Sequence, residues 1–137
     1  MKALKKLSSW QKRIRPLIGN YGEYIALKSL KKKKFVILEK NWKLKWGEID
    51  IIALDKDELV FIEVKTRLAV LYNEFNAADA VDAKKIRKIK KLADIYLDRK
   101  EKLINRLKLR SIRYDVIGVT LYSVMSYEIE HRVDAFE

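Results

Sequence analysis

The chain has no cysteine, which excludes disulfides and thiolate metal sites and fits a reducing compartment. It has a single histidine, His131, near the C-terminus, so thiol- or imidazole-based nucleophilic catalysis has little to work with. No apolar run approaches the ~20 residues of a membrane-spanning helix. The basic start MKALKKLSSWQKR lacks the apolar stretch of a secretory signal, so cytoplasmic residence without integral membrane association is the expectation.

What is present describes a soluble globular chain. With 137 residues, 49% of them apolar and 36% charged, it is long enough for one domain with one core. The net charge of +12 is unevenly placed. Residues 1–34 carry eleven Lys/Arg against one acid, Glu23, and residues 84–113 carry thirteen against three. The remainder is net negative, at −8. One Lys-rich run is ordinarily a solvated helix face. Two runs flanking an acidic centre suit a polyanion, with Lys31, Lys32, Lys33, Lys84 and Lys88 as the side chains expected to meet phosphates.

The acidic centre is the stretch GEIDIIALDKDELVFIEVKTR, residues 47–67. Its two apolar arms, residues 48–54 and 59–65, flank a polar turn at Lys56-Asp57 and predict an antiparallel hairpin. Counting outward from that turn puts Asp55 opposite Glu58, Asp50 opposite Glu63, and Glu48 opposite Lys65. Directly opposed residues share a face, with Cβ atoms about 5 Å apart, and like charges placed so destabilise a sheet. Ile52, Leu54, Leu59 and Phe61 of that face look buried, so a simple solvated ion pair of Glu63 and Lys65 fits poorly. A cluster of acids at the end of an apolar hairpin calls for a compensating cation, and a metal ion is the sharpest candidate.

Around the hairpin, Ala3, Leu7, Trp10 and Ile14 recur at helical spacing, predicting a short amphipathic helix over residues 2–14 that Pro16 ends or sets apart. Residues 1–16 are therefore a basic arm, and 17–137 the single domain. A second helix is predicted from Asn20. Glu23 there either completes a capping box with Asn20 or, in phase with Ala26, Leu27 and Leu30, reaches toward the hairpin. Residues 35–38 open the sheet, and residues 68–76 form a loop. A long helix follows over residues 77–100. Lys85 lies at the edge of its apolar stripe, where a lysine usually snorkels to solvent, although it stands close enough to reach the polar end of the hairpin. Residues 112–122 and 127–136 are the last strands. Strand, helix, strand makes a right-handed crossover, so the third and fourth strands should be parallel. Arg113 and Asp115, two apart on one strand, suggest a structural ion pair.

Asp50 followed by Glu63-Val64-Lys65 resembles the D…(D/E)xK motif of the restriction-endonuclease-like, PD-(D/E)xK superfamily of metal-dependent nucleases. Together with Gly19-x-x-Gly22-Glu23, Asn41, Gly47-Glu48-Ile49-Asp50, Arg67, Lys85 and Arg113-Tyr114-Asp115, it resembles the YraN-type family of uncharacterised endonuclease-like proteins over residues 17–120. Lys34 departs from the pattern, standing where that family tends to have Gly. The resemblance implies an α/β fold, a mixed β-sheet flanked by helices in the order α-β-β-β-α-β-β. It implies Mg²⁺ (or Mn²⁺) held by Asp50, Glu63 and the Val64 backbone carbonyl, with Asp50, Glu63 and Lys65 catalytic and Glu23, Glu48, Lys85 and Arg67 in support. The implied activity is hydrolysis of phosphodiester bonds in DNA rather than RNA, in structured or branched DNA of repair or recombination. The alternative is a non-catalytic nucleic-acid-binding module or partner subunit that keeps the fold. A homodimer would suit an enzyme that cuts both strands of a junction.

Overall fold

The computed structural model describes residues 9–70 and 82–136. Helix α1 (Ser9–Lys32) lies on one face of a five-stranded sheet, and helices α2 (Ala83–Arg99) and α3 (Glu101–Leu107) belong to the other side. The strands are β1 (Val36–Leu44), β2 (Gly47–Asp55), β3 (Glu58–Leu68), β4 (Ser111–Leu121) and β5 (Tyr127–Arg132), ordered β1-β2-β3-β4-β5 across the sheet. All neighbours are antiparallel except β3 and β4, which run parallel because a helical crossover joins them. This is the mixed α/β architecture that the sequence implies.

Pro16 does not end the first helix. A proline removes one backbone hydrogen bond. Here the packing of the turns that follow, with Ile25, Ala26 and Leu30 fully buried against Ile51, Val60 and Ile62, outweighs that loss. Fully burying one such aliphatic side chain contributes about 1.5–3 kcal/mol. Two expectations fall with it: residue 16 is not a structural boundary, and Asn20 lies inside a helix rather than at its cap. Residues 2–8 of the expected arm helix lie outside the described residues.

The end of α1 is a Schellman turn. The Lys34 N–H donates to the Lys31 carbonyl (3.0 Å) and the Phe35 N–H to the Leu30 carbonyl (3.0 Å). That geometry needs a left-handed residue at position 34, where Lys34 has φ 71°. The site is one that glycine fits best.

β1 is longer than residues 35–38 because two irregularities hide its alternation: a register shift between Ile37 and Glu39, and left-handed Asn41 (φ 49°). The β2–β3 hairpin forms in the counted register, Asp55 opposite Glu58 through to Ile51 opposite Ile62, with Lys56 left-handed in the turn. α2 begins at Asp82, whose carboxylate caps the Lys85 N–H (2.9 Å). The part of the expected long helix at 77–81, and most of the 68–76 loop, lie outside the described residues. The helical course bends at Lys100 (φ −107°), and α3 was not anticipated.

The turn end of the hairpin is locked by ions. Arg113 donates from Nε and Nη2 to the two oxygens of fully buried Asp115 (2.9 and 3.0 Å), and from Nη1 to Asp55 and Glu58 (3.0 Å each). His131 Nε2 lies 2.7 Å from Asp115 Oδ2, and the Asp134 N–H donates to Oδ1 (3.0 Å). Lys33 Nζ stands 3.0 Å from His131 Nδ1. A lysine ammonium has only hydrogens to offer, so Nδ1 accepts, and Nε2 carries the proton that goes to Asp115. The Arg113–Asp115 pair is thus the hub of a buried structural network, remote from the hairpin's open end.

Candidate functional site

At that open end the β2–β3 ladder stops after Ile51 and Ile62. Beyond it, the Asp50 carboxylate takes the place of a backbone partner: the Val64 N–H donates to Asp50 Oδ2 at 2.8 Å. Strict alternation also fails here. Ile49 packs with Ile52, Leu59 and Phe61 on the α2 side, while Ile51 and Ala53 pack on the α1 side. The alternation behind the single-face count of the four charged residues thus breaks between Ile49 and Ile51, while all four line one cleft. Both main-chain polar groups of a strand residue face the same neighbour. The Val64 carbonyl therefore points to the side on which Asp50 sits.

A cleft of ≈ 410 Å³ opens at this point, between α1, the end of the hairpin and the first turns of α2. Its charged lining is evenly divided: Glu23, Glu48, Asp50 and Glu63 against Arg15, Lys65, Lys85 and Lys88. Gly22 allows α1 to close onto β3, since a Cβ there would overlap the Thr66 side chain. At Gly47 a Cβ would stand 2.6 Å from Lys88 Cε, so the Lys88 side chain lies directly over that strand start. Both close approaches bring carboxylates and ammonium groups from separate elements into one volume.

The electrostatics follow from burial and crowding. Asp50 is 8% exposed and Glu63 5%. Burial, then the charge of Glu63, pushes the Asp50 carboxyl up to about 8, against the opposing hydrogen bond from Val64. Burial also raises Glu23, whose hydrogen bond to Asn41 works the other way while Glu48 and Glu63 add to the rise. The left-handed backbone at Asn41 accompanies that contact, and Asn tolerates it better than most residues. Lys85 did not snorkel away. Its Nζ lies 2.6 Å from Glu63 Oε1, with Lys65 Nζ 3.8 Å from the same oxygen. The two amino groups thus crowd one carboxylate oxygen and act on each other. Burial and then Lys85 hold Lys65 below its ordinary value, whereas for Lys85 the charge and hydrogen bond of Glu63 outweigh burial and raise it.

Among the described residues, no three of His, Asp and Glu converge as a ready-made metal shell. Mg²⁺ asks for less: one or two carboxylates, with several waters retained. Asp50 and Glu63 are two buried acids whose repulsion a cation would relieve, so the donor set fits a hard divalent ion.

Of the residues singled out from sequence, Glu23, Glu48, Asp50, Glu63, Val64, Lys65, Lys85 and Lys88 line the cleft. Arg67 does not. It follows Thr66 near the end of β3, paired with Thr120 and within electrostatic reach of Tyr122. Lys84 is outside the lining, and Lys31, Lys32 and Lys33 close the opposite end of α1, more than two helical turns beyond Glu23. Sequence reasoning missed Arg15, Asn41's bond to Glu23, and Thr66. Arg15 stands four and eight residues before Gly19 and Glu23, a helical phase that becomes visible once Pro16 is not taken as a stop.

Residues 22–119 match the sequence profile described as "Uncharacterised protein family UPF0102". A UPF0102 protein of Clostridium botulinum (strain Kyoto / Type A2) is 41% identical over 121 residues, 88% of this chain and 94% of its own. Another, from strain 657 / Type Ba4, is 41% identical over the same share. A UPF0102 protein of Caldanaerobacter subterraneus subsp. tengcongensis is 58% identical over 53 residues, 39% of this chain and 43% of its own. The family match spans the later part of α1, the hairpin, α2 and the crossover to β4, and the chain belongs to UPF0102, the YraN-type family that its motifs resemble.

Proposed function

We propose that this protein is a Mg²⁺-dependent nuclease hydrolysing phosphodiester bonds in DNA. One juxtaposition carries the reading. Two buried carboxylates, Asp50 and Glu63, meet at the open end of the hairpin, with Lys65 Nζ 3.8 Å from Glu63 Oε1, in a cleft to which α1 adds Arg15 and α2 adds Lys85 and Lys88. A pure binding surface has no use for mutually repelling buried acids, whereas a hydrolytic cation site does.

The Val64 N–H fixes Asp50 through Oδ2 and leaves Oδ1 to face a cation. Asp50, Glu63 and the Val64 carbonyl would hold Mg²⁺, which keeps most of its waters. The chemistry supplied by that ion is Lewis acidity, giving an acidified water and charge compensation at the phosphate. Lys65 Nζ, kept low by burial and by Lys85, is suited to take a proton from the attacking water. Glu23 and Glu48 shape the ion's outer surroundings. Arg15 on α1 and Lys88 on α2 stand on separate walls of the cleft, where backbone phosphates on either side of the scissile bond would lie. Lys84, and Lys31, Lys32 and Lys33 at the other end of α1, extend the positive field.

The test is cleavage of linear, supercoiled and branched DNA with Mg²⁺ or Mn²⁺, run beside Asp50→Ala and Glu63→Ala. Either substitution should lower the rate by on the order of a thousandfold, the several kcal/mol that a metal contributes. Cleavage that persists in both variants rules out this site. Salt-dependent DNA binding without cleavage of any substrate identifies a non-catalytic binding module instead.

A further inference from the structure

A short contact in the cleft, at 2.6 Å, joins Glu63 not to anything a metal reading requires but to Lys85. Lys85 sits in the first turn of α2, which Asp82 caps through the Lys85 backbone N–H. Its backbone is therefore anchored while its side chain spans the cleft. About a third of that side chain is exposed, against 6% for the Glu63 side chain, so the lysine has a route to solvent that the glutamate lacks. Glu63 Oε1 is approached by two ammonium groups, from Lys85 and Lys65, and it is one of the two carboxylates on which the proposed cation depends.

We propose that Lys85 is an exchangeable counter-cation, holding Glu63 until a DNA phosphate draws the ammonium away and frees the carboxylate for the metal. The inference rests on the metal-site reading above and adds a coupling to it. A divalent ion and the Lys85 ammonium compete for the same oxygen, so metal binding to the free protein is weak. A phosphate entering the cleft is an alternative partner for Lys85 on its exposed side. Metal and DNA then tighten each other's binding by the same factor, because coupling between two sites is reciprocal. In this role Lys85 is a positioning residue that keeps the hydrolytic site from being assembled until substrate is present.

The experiment is Mn²⁺ binding to the full chain, read by electron paramagnetic resonance of the free ion, with and without a short DNA duplex. It compares wild type with Lys85→Met, Lys85→Arg and Glu63→Gln, each checked for folding by circular dichroism. Lys85→Met should bind Mn²⁺ at least about fivefold more tightly without DNA, and DNA should tighten wild type by at least about fivefold, the lower end of ordinary coupling. DNA should no longer tighten the Met variant. Lys85→Arg, which keeps the charge, should stay close to wild type. Unchanged or weaker Mn²⁺ binding in Lys85→Met, with binding lost in Glu63→Gln, overturns the exchange while leaving the metal site in place. Mn²⁺ binding absent from both wild type and Lys85→Met, or unaffected by Glu63→Gln, overturns the metal reading and the exchange with it.

Discussion

Replacing Asp50 by Asn should remove a pH dependence of stability that the wild-type protein shows in the presence of a chelator. The folded state holds the Asp50 carboxyl up to about 8, against an ordinary 3.8. Between those values the folded chain keeps a proton that the unfolded chain has released, so folding stability falls as pH rises. The contribution is complete below pH 3.8 and lost as pH climbs through about 8. Each pH unit is worth about 1.36 kcal/mol, so the full displacement corresponds to ~6 kcal/mol. Of that, the part lost between pH 5.5 and about 8 is about 3 kcal/mol. The assay is urea unfolding at half-unit steps from pH 5.5 to 8.5, where lowered carboxyls such as Asp115 are already ionised. Raised Glu23 slopes the same way in both proteins, so the difference curve isolates Asp50. Wild type should lose about 3 kcal/mol more than Asp50→Asn across the window. A flat difference curve, or one that rises with pH, would refute the picture of two buried acids crowded together.

Two further substitutions test the frame that holds the site. Lys34→Gly should stabilise the protein by about 0.5–1 kcal/mol, because a left-handed side-chain residue costs 1–2 kcal/mol and glycine recovers most of it; an unchanged or lower urea midpoint would contradict this. Asp115→Ala strips the buried partner from Arg113 and His131 and should cost about 3–5 kcal/mol, measured by thermal or urea unfolding. A loss below about 1 kcal/mol would mean that Asp55 and Glu58 alone satisfy Arg113.

The parts of this molecule legible in the sequence are those governed by short-range rules. Counting from Lys56-Asp57 fixed the hairpin register because two-residue turns leave little freedom, and the crossover fixed the parallel pairing of β3 with β4. Where the sequence misled, tertiary packing overrode a local rule. Pro16 reads as a stop, yet the buried stripe after it keeps α1 continuous and carries Arg15 over the cleft. Lys85 reads as a solvated lysine, since no local pattern reveals a carboxylate 22 residues earlier waiting for it. The break in alternation between Ile49 and Ile51 is equally invisible to a period of two, because it accompanies a side chain replacing a backbone partner.

The separation in sequence between the members of the cleft has a consequence for how the chain folds. Asp50 and Glu63 are brought together by a local hairpin, the kind of contact that forms early, and it leaves the ribosome before α2 does. Their counter-charges on α2 come later, with a non-local crossover. Until α2 docks, the open end of the hairpin holds its acids with Lys65 but without Lys85, and the repulsion that remains disfavours a stable β1–β3 meander on its own. Docking of the crossover helix removes the conflict, so completing the charge balance of the site and committing the chain to its final topology become one event.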